Sequence, residues 1–396
     1  MRVMYETFSE RGGGIASYKI LLKTLATQFP EDHYYIVSLD SSELVSLGEL
    51  GNVTVVKIKP GLHKELARFR LEAAGLRRIA KAHEVDVIWS TNVGPYLRTG
   101  IPQVMSVINA FQIYPWSVTR HHPDNRFHVA ALRWFFRRSL ARCDAALVET
   151  SLMGEYLSRV KGAPARIAVI PKAVESLDDF PPAPLPERIV QLFQSGLGKD
   201  TFTFLYVATP EPHKNHKILL PAVQRLGSLG LQARLALTVT ADQLFRIGGR
   251  LARQLVENGY ILPLGWVPKE NLRAVYDACQ ACVMPSVLES LSSAHLEAMH
   301  WGRPQICADL PYAHDLCGEA AAYAAAENPS QWAAQMQRML CDAPLRSALV
   351  KAGCERMKDY PATWKEVARR VRAFLAEVAG LAEVPGNKSP LPLGEG

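Results

Sequence analysis

From Val287 to Met299 the chain reads VLESLSSAHLEAM. Glu289 and Glu297 stand eight positions apart, the first just past the strand-like run ACVMPS, the second inside a helix-like stretch. Ser292 and Ser293 fall where that helix would begin. A serine is a favoured N-cap, and the unpaired amides of a first turn form an anion site. Ionised carboxylates only accept hydrogen bonds, so sugar hydroxyls are their natural partners. One local unit thus offers amides to a phosphate and two acceptors to hydroxyls, which suits a diphosphate held between a ribose and a hexose. Two solvated glutamates are the competing reading.

A second stretch, YVATPEPHKNHKILL (206–220), ends an apolar strand at Ala208 and delivers Lys214 through a Pro-rich turn to a helix expected from about Asn215. A lysine beside a helix N-terminus adds a cation to the same kind of phosphate site, although an exposed lysine with no ligand fits as well. His213 and His216 are expected to flank that loop rather than to hold a metal. A third stretch, ERGGGIASYKILL, places Gly12, Gly13 and Gly14 ahead of a helix, permitting close backbone approach to a ligand. It is not GxGxxG, which disfavours a nicotinamide dinucleotide. Cys279-Gln-Ala-Cys282 is a lone CxxC, read as buried thiols at a helix-to-strand junction. The seven scattered cysteines suit a reducing compartment.

These residues need a scaffold, and the chain alternates strand-like and helix-like segments throughout. RVMYETF, HYYIVSL, VTVVKI, DVIWS, QVMSVI, AALVE and RIAVIP read as strands in the first half; FTFLYVA, ARLALTV, YILPLG, ACVMPS and PQICA do so in the second. Helices are expected between them, including Lys64–His83 and Phe127–Cys143. The alternation predicts an α/β fold with parallel, doubly wound sheets. At 396 residues the chain exceeds one compact core, and four prolines in FPPAPLPE (180–187) mark a linker. Ligands in such sheets bind beyond the carboxyl ends of the strands. The tail GNKSPLPLGEG is expected to be disordered. No uncharged apolar run is long enough to span a bilayer, and MRVMYETFSERGGG lacks a signal-peptide core, so a cytoplasmic protein is expected.

Taken together, ESLSSAHLE, VATPEPHKNH, CDAALVETSLMGEYLSRVKGAPARIAVIPKAV, LGWVPKENLRAVYDACQACVMPSVLES and YAHDLCGEAAAYAAAENP resemble the GT-B glycosyltransferases of family four, the glycosyl transferases group 1. The resemblance runs from Gly12 to about Leu375. It implies two Rossmann-like domains facing across a cleft: residues 1–180 binding the acceptor, a linker at 181–198, residues 199–360 binding the nucleotide sugar, a helix at 361–381 returning to the first domain, and a tail at 382–396. It implies a retaining hexosyltransferase (mannosyl or glucosyl) acting in cell-envelope polysaccharide or lipopolysaccharide synthesis. Glu289 matches the first glutamate of the family's E-x7-E motif and would contact the donor sugar. Glu297 matches the second and would hold the ribose hydroxyls. Lys214 would neutralise the diphosphate with the amides near Leu291, Ser292 and Ser293. Gly13 and Gly14 would let the N-terminal loop approach the donor phosphate or the acceptor.

Three positions depart from the family's pattern. Thr209 stands where an arginine usually precedes the lysine, SLSSA replaces GFGLP between the glutamates, and Asn109 stands at or near a usual histidine. The absence of an obvious base accords with a front-face mechanism in which the leaving phosphate takes the acceptor proton. No Asp-x-Asp occurs, so no metal and no cofactor beyond the donor itself, a UDP- or GDP-linked sugar, is expected. A catalytically degenerate binding subunit and a nucleotide-sugar epimerase of the same fold are the alternatives.

The net charge of +7 suits acidic partners. Six arginines against one acid lie between Arg120 and Arg142, beside an apolar stripe of Val129, Leu132, Phe135, Phe136 and Leu140. This reads either as a surface helix with solvated arginines or as a face for anionic lipid or a lipid-linked acceptor at the inner side of a membrane. Nucleic acid is disfavoured because no recognition motif accompanies the charge.

Overall fold

The computed structural model describes residues 1–7, 13–59, 71, 75–92, 94, 99–119, 126–173, 183–195, 197 and 201–381. Gly12, the start of the expected Lys64–His83 helix, Arg120 to Asn125, the first residues of the Pro-rich linker and the 382–396 tail lie outside the described residues.

Two parallel sheets carry the fold. The first has seven strands in the order β3-β2-β1-β4-β5-β6-β7: Val53–Ile58, His33–Leu39, Arg2–Thr7, Val87–Thr91, Gln103–Val107, Ala145–Val148 and Arg166–Val169. The second has six in the order β10-β9-β8-β11-β12-β13: Ile261–Pro263, Ala233–Leu237, Phe202–Tyr206, Ala281–Met284, Gln305–Ala308 and Ala321–Ala324. Every residue of β4, β5, β6, β9, β11 and β12 is buried, which is why these strands read as near-continuous apolar runs rather than alternating ones. Both sheets reverse direction once, between β1 and β4 and between β8 and β11. A doubly wound sheet opens its ligand crevice at that reversal.

The helix Trp364–Val378 follows the second sheet in sequence but packs on the first. Val367, Ala368, Val371 and Leu375 are buried in the cluster that holds Tyr5, Tyr18 and Trp89. The spacing places these side chains on one helix face, and burying a Val or Leu side chain is worth about 1.5–3 kcal/mol. Arg372 Nε donates to Asp32 Oδ2 at 2.6 Å, closing the contact at its rim. A second apolar cluster runs without a break from Met105, Phe136 and Met153 of the first half into Phe204, Leu237 and Ile306 of the second, and the Leu152 amide donates to Asp315 Oδ2 at 3.0 Å.

Within the expected linker, Glu187–Gln194 is a helix that begins directly after Pro186 and buries Ile189; the prolines stop at 186, and ERIVQLFQ can bury one face. Two local expectations are corrected. The helix expected from about Asn215 starts at Leu219, because Asn215 adopts φ +53° between two short 3-10 turns. In the helix Arg126–Leu140, Val129, Phe136 and Leu140 are buried, but Phe135 is 39% exposed. Arg133 is not solvated: its guanidinium donates to the carbonyls of Phe111 and Tyr114 at 2.8 and 2.6 Å and to Thr119 Oγ1 at 2.9 Å.

Candidate active site

Because β8 and β11 are neighbours at the reversal of the second sheet, the loops leaving their carboxyl ends meet although they are far apart in sequence. The Val287 amide donates to the His213 carbonyl at 2.8 Å, stitching the two loops. Beneath them Tyr206, at the end of β8, donates to the Lys214 carbonyl at 2.8 Å and accepts from Ser286 Oγ at 2.8 Å. Asn215 reaches across to the Ala326 carbonyl at 2.9 Å. In the left-handed region asparagine pays less steric strain than most residues, so the turn that holds Lys214 depends on residue type at that position.

The outcome is a Lys214–Glu289 ion pair with Nζ 2.6 Å from Oε1. Burial raises the cost of ionising Glu289, but Lys214 outweighs it and holds the carboxyl below its ordinary value, with His295 and Ser286 acting in the same direction. Glu289 is therefore an acceptor at neutral pH. Glu297 lies in the helix Ser293–His300 and accepts from the Tyr276 phenol at 3.0 Å. Burial and that carboxylate push the phenol well above its ordinary value, so Tyr276 remains a donor. Ser292 is the N-cap residue, as its sequence position implies, but its side chain makes no capping bond. The first turn therefore has no side-chain cap, and its residues Ser292, Ser293 and Ala294 line the cleft at the positive end of the helix dipole.

Lys214, Glu289, Glu297 and the helix start at Ser292–Ser293 line one cleft of about 640 Å³, which also reaches the first sheet. Lys214, Glu289, Glu297, Thr209, Leu291, Ser292 and Ser293 lie on its second-half wall; Gly14 and Asn109 lie on the opposite wall. Gly13 begins the helix Gly13–Gln28 next to Gly14. A Cβ at Gly14 would come within 3.0 Å of Ile108 Cδ1, so a side chain there would press on the strand end that presents Asn109. Asn92 adopts φ +63° and accepts from the amides of Ile108 and Asn109 at 2.9 and 3.1 Å, tying β4 to β5 at the rim.

Residues not singled out from the sequence also line the cleft. Glu149 and Lys172 follow β6 and β7 and form a pair at 3.6 Å; Thr238 follows β9; Trp266 and Lys269 come from the loop and helix after β10. The signal that would have found the first three is position, since each sits just past a strand's carboxyl end. Burial raises the Glu149 carboxyl, with Lys172 opposing.

Of the two histidines near Lys214, His213 lines the cleft and His216 is buried with its ring on Tyr206, centroids 4.8 Å apart. Burial pushes His216 down to about 4. Cys279 and Cys282 are free and fully buried, and burial pushes the Cys279 thiol up to about 12.

Comparison with known proteins places the chain in a family and a fold. The family profile described as "Glycosyltransferase Family 4" matches residues 20–176, and that described as "Glycosyl transferases group 1" matches residues 201–342. The chain is 26% identical over 274 residues to O-antigen chain mannosyltransferase B of Escherichia coli, covering 67% of this chain and 68% of that protein. It is 28% identical over 375 residues to D-inositol 3-phosphate glycosyltransferase of Actinosynnema mirum, covering 85% and 86%. Among solved structures, sucrose-phosphate synthase of Thermosynechococcus elongatus superposes with a TM-score of 0.71 at 17% identity, covering 96% and 100% of the two chains. The glycosyltransferase WaaG, involved in lipopolysaccharide biosynthesis, superposes at 0.68 and 14% identity, covering 94% and 99%. HepE of Anabaena, solved with UDP and glucose, superposes at 0.68 and 15% identity, covering 95% and 99%. The fold is the GT-B arrangement.

Proposed function

The chain belongs to the group 1 glycosyltransferases of family 4, and from that premise we propose that it transfers a hexosyl unit from a nucleoside-diphosphate sugar, with retention, to a glycan or lipid-linked acceptor of a cell-envelope polysaccharide. The observation that carries this reading is the meeting of Lys214, Glu289 and Glu297 in one cleft beside a helix N-terminus with uncommitted amides. Lys214 and the amides at 291–293 take the diphosphate. Electrostatic stabilisation of this kind serves the leaving group as charge develops on it. When Lys214 turns to phosphate, Glu289 is released to accept from donor-sugar hydroxyls. Glu297, held by Tyr276, takes the ribose. Gly13, Gly14 and Asn109 face the acceptor side, and the leaving phosphate takes the acceptor proton. The mannosyltransferase relative favours a mannosyl unit.

The test is calorimetry with UDP and GDP, followed by assay of the matching nucleotide sugars for sugar release and transfer. One nucleotide is expected to bind and its sugar conjugates to be turned over. Binding to the native state raises stability by about 2.7 kcal/mol at a hundredfold excess over Kd. Failure to bind either nucleotide defeats the proposal and favours a degenerate subunit.

We further propose that the helix Arg126–Leu140 rests on anionic membrane. Phe127 is 90% exposed and Trp134 57% exposed, with Arg137 and Arg138 beside them on the exposed side. Apolar rings seat in the headgroup boundary while basic side chains meet anionic lipid. No helix among the described residues is long and apolar enough to cross a membrane. Flotation with phosphatidylglycerol vesicles is expected to carry the protein, less so in high salt and not after R137E/R138E. Equal recovery with phosphatidylcholine vesicles contradicts it.

A further inference from the structure

Behind the cleft, one group of side chains has been given no part in the proposed reaction. His295 in the helix Ser293–His300, Cys307 in β12 and Cys317 at the end of the helix Pro311–Cys317 are 1%, 0% and 0% exposed. One imidazole nitrogen and the two sulfurs lie within 4.8 Å of one another. None of the three lines the cleft. Among the described residues, neither ring nitrogen of His295 has a hydrogen-bond partner, although a buried imidazole ordinarily finds one. An unbonded nitrogen in a dry interior leaves its desolvation cost uncompensated. The two cysteines share the Gln305 amide: Cys307 Sγ donates to Oε1 and Gln305 Nε2 donates to Cys317 Sγ, each at 3.6 Å.

We propose that His295, Cys307 and Cys317 form a buried Zn²⁺ site, with Gln305 Oε1 as the fourth donor. Imidazole and thiolate are the ligands this borderline-soft ion selects. Bond lengths of about 2.0–2.3 Å place tetrahedral ligand atoms roughly 3.3–3.8 Å apart, so the group closes on the ion by about 1 Å and Gln305 Oε1 already stands at ligand spacing from Cys307. On binding, the two thiols release two protons, two S–Zn bonds form, and an imidazole lone pair completes the third. Two thiolates and one divalent cation sum to zero charge, whereas a monovalent cation would leave a net negative centre where charge is costly. Releasing the Cys307 proton also frees Gln305 Oε1 from its hydrogen bond. The ion ties the helix bearing Glu297 to β12 and to the helix 311–317, fixing from behind the turn that presents the amides.

The experiment uses the whole chain, with the exposed Cys341 and Cys354 replaced by serine, expressed in zinc-supplemented cells and freed of loose metal by gel filtration. One equivalent of zinc is expected to remain, and Cys307→Ser, Cys317→Ser and His295→Ala each to lower it at least tenfold, with Cys279→Ser/Cys282→Ser lowering it not at all. Should the single variants fail to fold, Co²⁺ added to the zinc-free parent chain is expected to give a thiolate-to-cobalt charge-transfer band with intense tetrahedral d–d absorption. Zinc absent after filtration, zinc unaffected by Cys307→Ser and Cys317→Ser, cobalt spectra of octahedral type, or a Cys307–Cys317 disulfide in place of metal each overturns the proposal. The outcome is independent of donor binding, so it fails or succeeds apart from the transferase reading.

Discussion

Lys214→Ala is expected to lower sugar transfer by about 10²–10³-fold, the loss seen when one preorganised donor to a developing anion is removed. The lysine is the cation placed 2.6 Å from Glu289 in the cleft, and Thr209 supplies no charge in place of the arginine usual in the family. The fold is expected to survive, because the pair sits at the cleft wall with side chains 19% and 10% exposed and Glu289 can protonate once it loses its partner. That escape carries a pH signature. In the parent protein Glu289 is held below its ordinary value of 4.5, so its contribution to stability is present above that value and is lost as pH falls through the depressed one. Without Lys214 burial dominates and the carboxyl rises. Its contribution is then present below the ordinary value and lost as pH increases. The variant is therefore expected to be destabilised more at pH 7 than at pH 4, measured by thermal unfolding at both. Parent-like turnover would remove Lys214 from the chemistry, and an equal stability loss at both pH values would remove the pair from the electrostatics.

Glu297→Gln is expected to weaken nucleotide binding by about 10–100-fold, the equivalent of one charged hydrogen-bond acceptor at about 1.5–3 kcal/mol. Glutamine keeps the length and one acceptor, so the Tyr276 hydrogen bond of 3.0 Å has a remaining partner and the helix is undisturbed. The free nucleoside diphosphate should lose as much affinity as the sugar conjugate, since both carry the ribose. If calorimetry finds the nucleoside diphosphate unaffected and only the conjugate weakened, Glu297 faces the hexose and the roles of the two glutamates are exchanged. Combined with Lys214→Ala the losses are expected to fall short of additive, because both act on one bound molecule.

Much of this was readable from residue order. All strands but one of the two sheets are legible because parallel sheets covered on both faces require unbroken apolar runs, as in VIWST and ACVM. Glu289 and Glu297 were legible because a strand end, a serine at the helix start and a second carboxylate in that helix are all local. β13, Ala321–Ala324, was not legible as a strand: AAYA has helical propensity, and only pairing along β12 extends it. Lys214 is legible, but the helix after it begins at Leu219, four residues beyond its sequence signal, because the left-handed Asn215 is stabilised by the distant Ala326 carbonyl. Glu149 and Lys172 are not legible as site residues because their significance lies in facing a cleft whose other wall is built by the second half of the chain, from Val207 onward.

The sequence by itself determined the fold class, the two α/β halves and the presence of residue types suited to a phosphate and sugar hydroxyls, because hydrophobic period and capping chemistry act over a few residues. Only the tertiary structure decided that Lys214 stands 2.6 Å from a carboxylate 75 positions on, that Arg133 turns inward to three oxygens, and that an imidazole and two thiols gather behind the cleft. Strand order set those meetings, and strand order follows from the packing of whole sheets and the closure of long crossovers, quantities that no short window of residues contains.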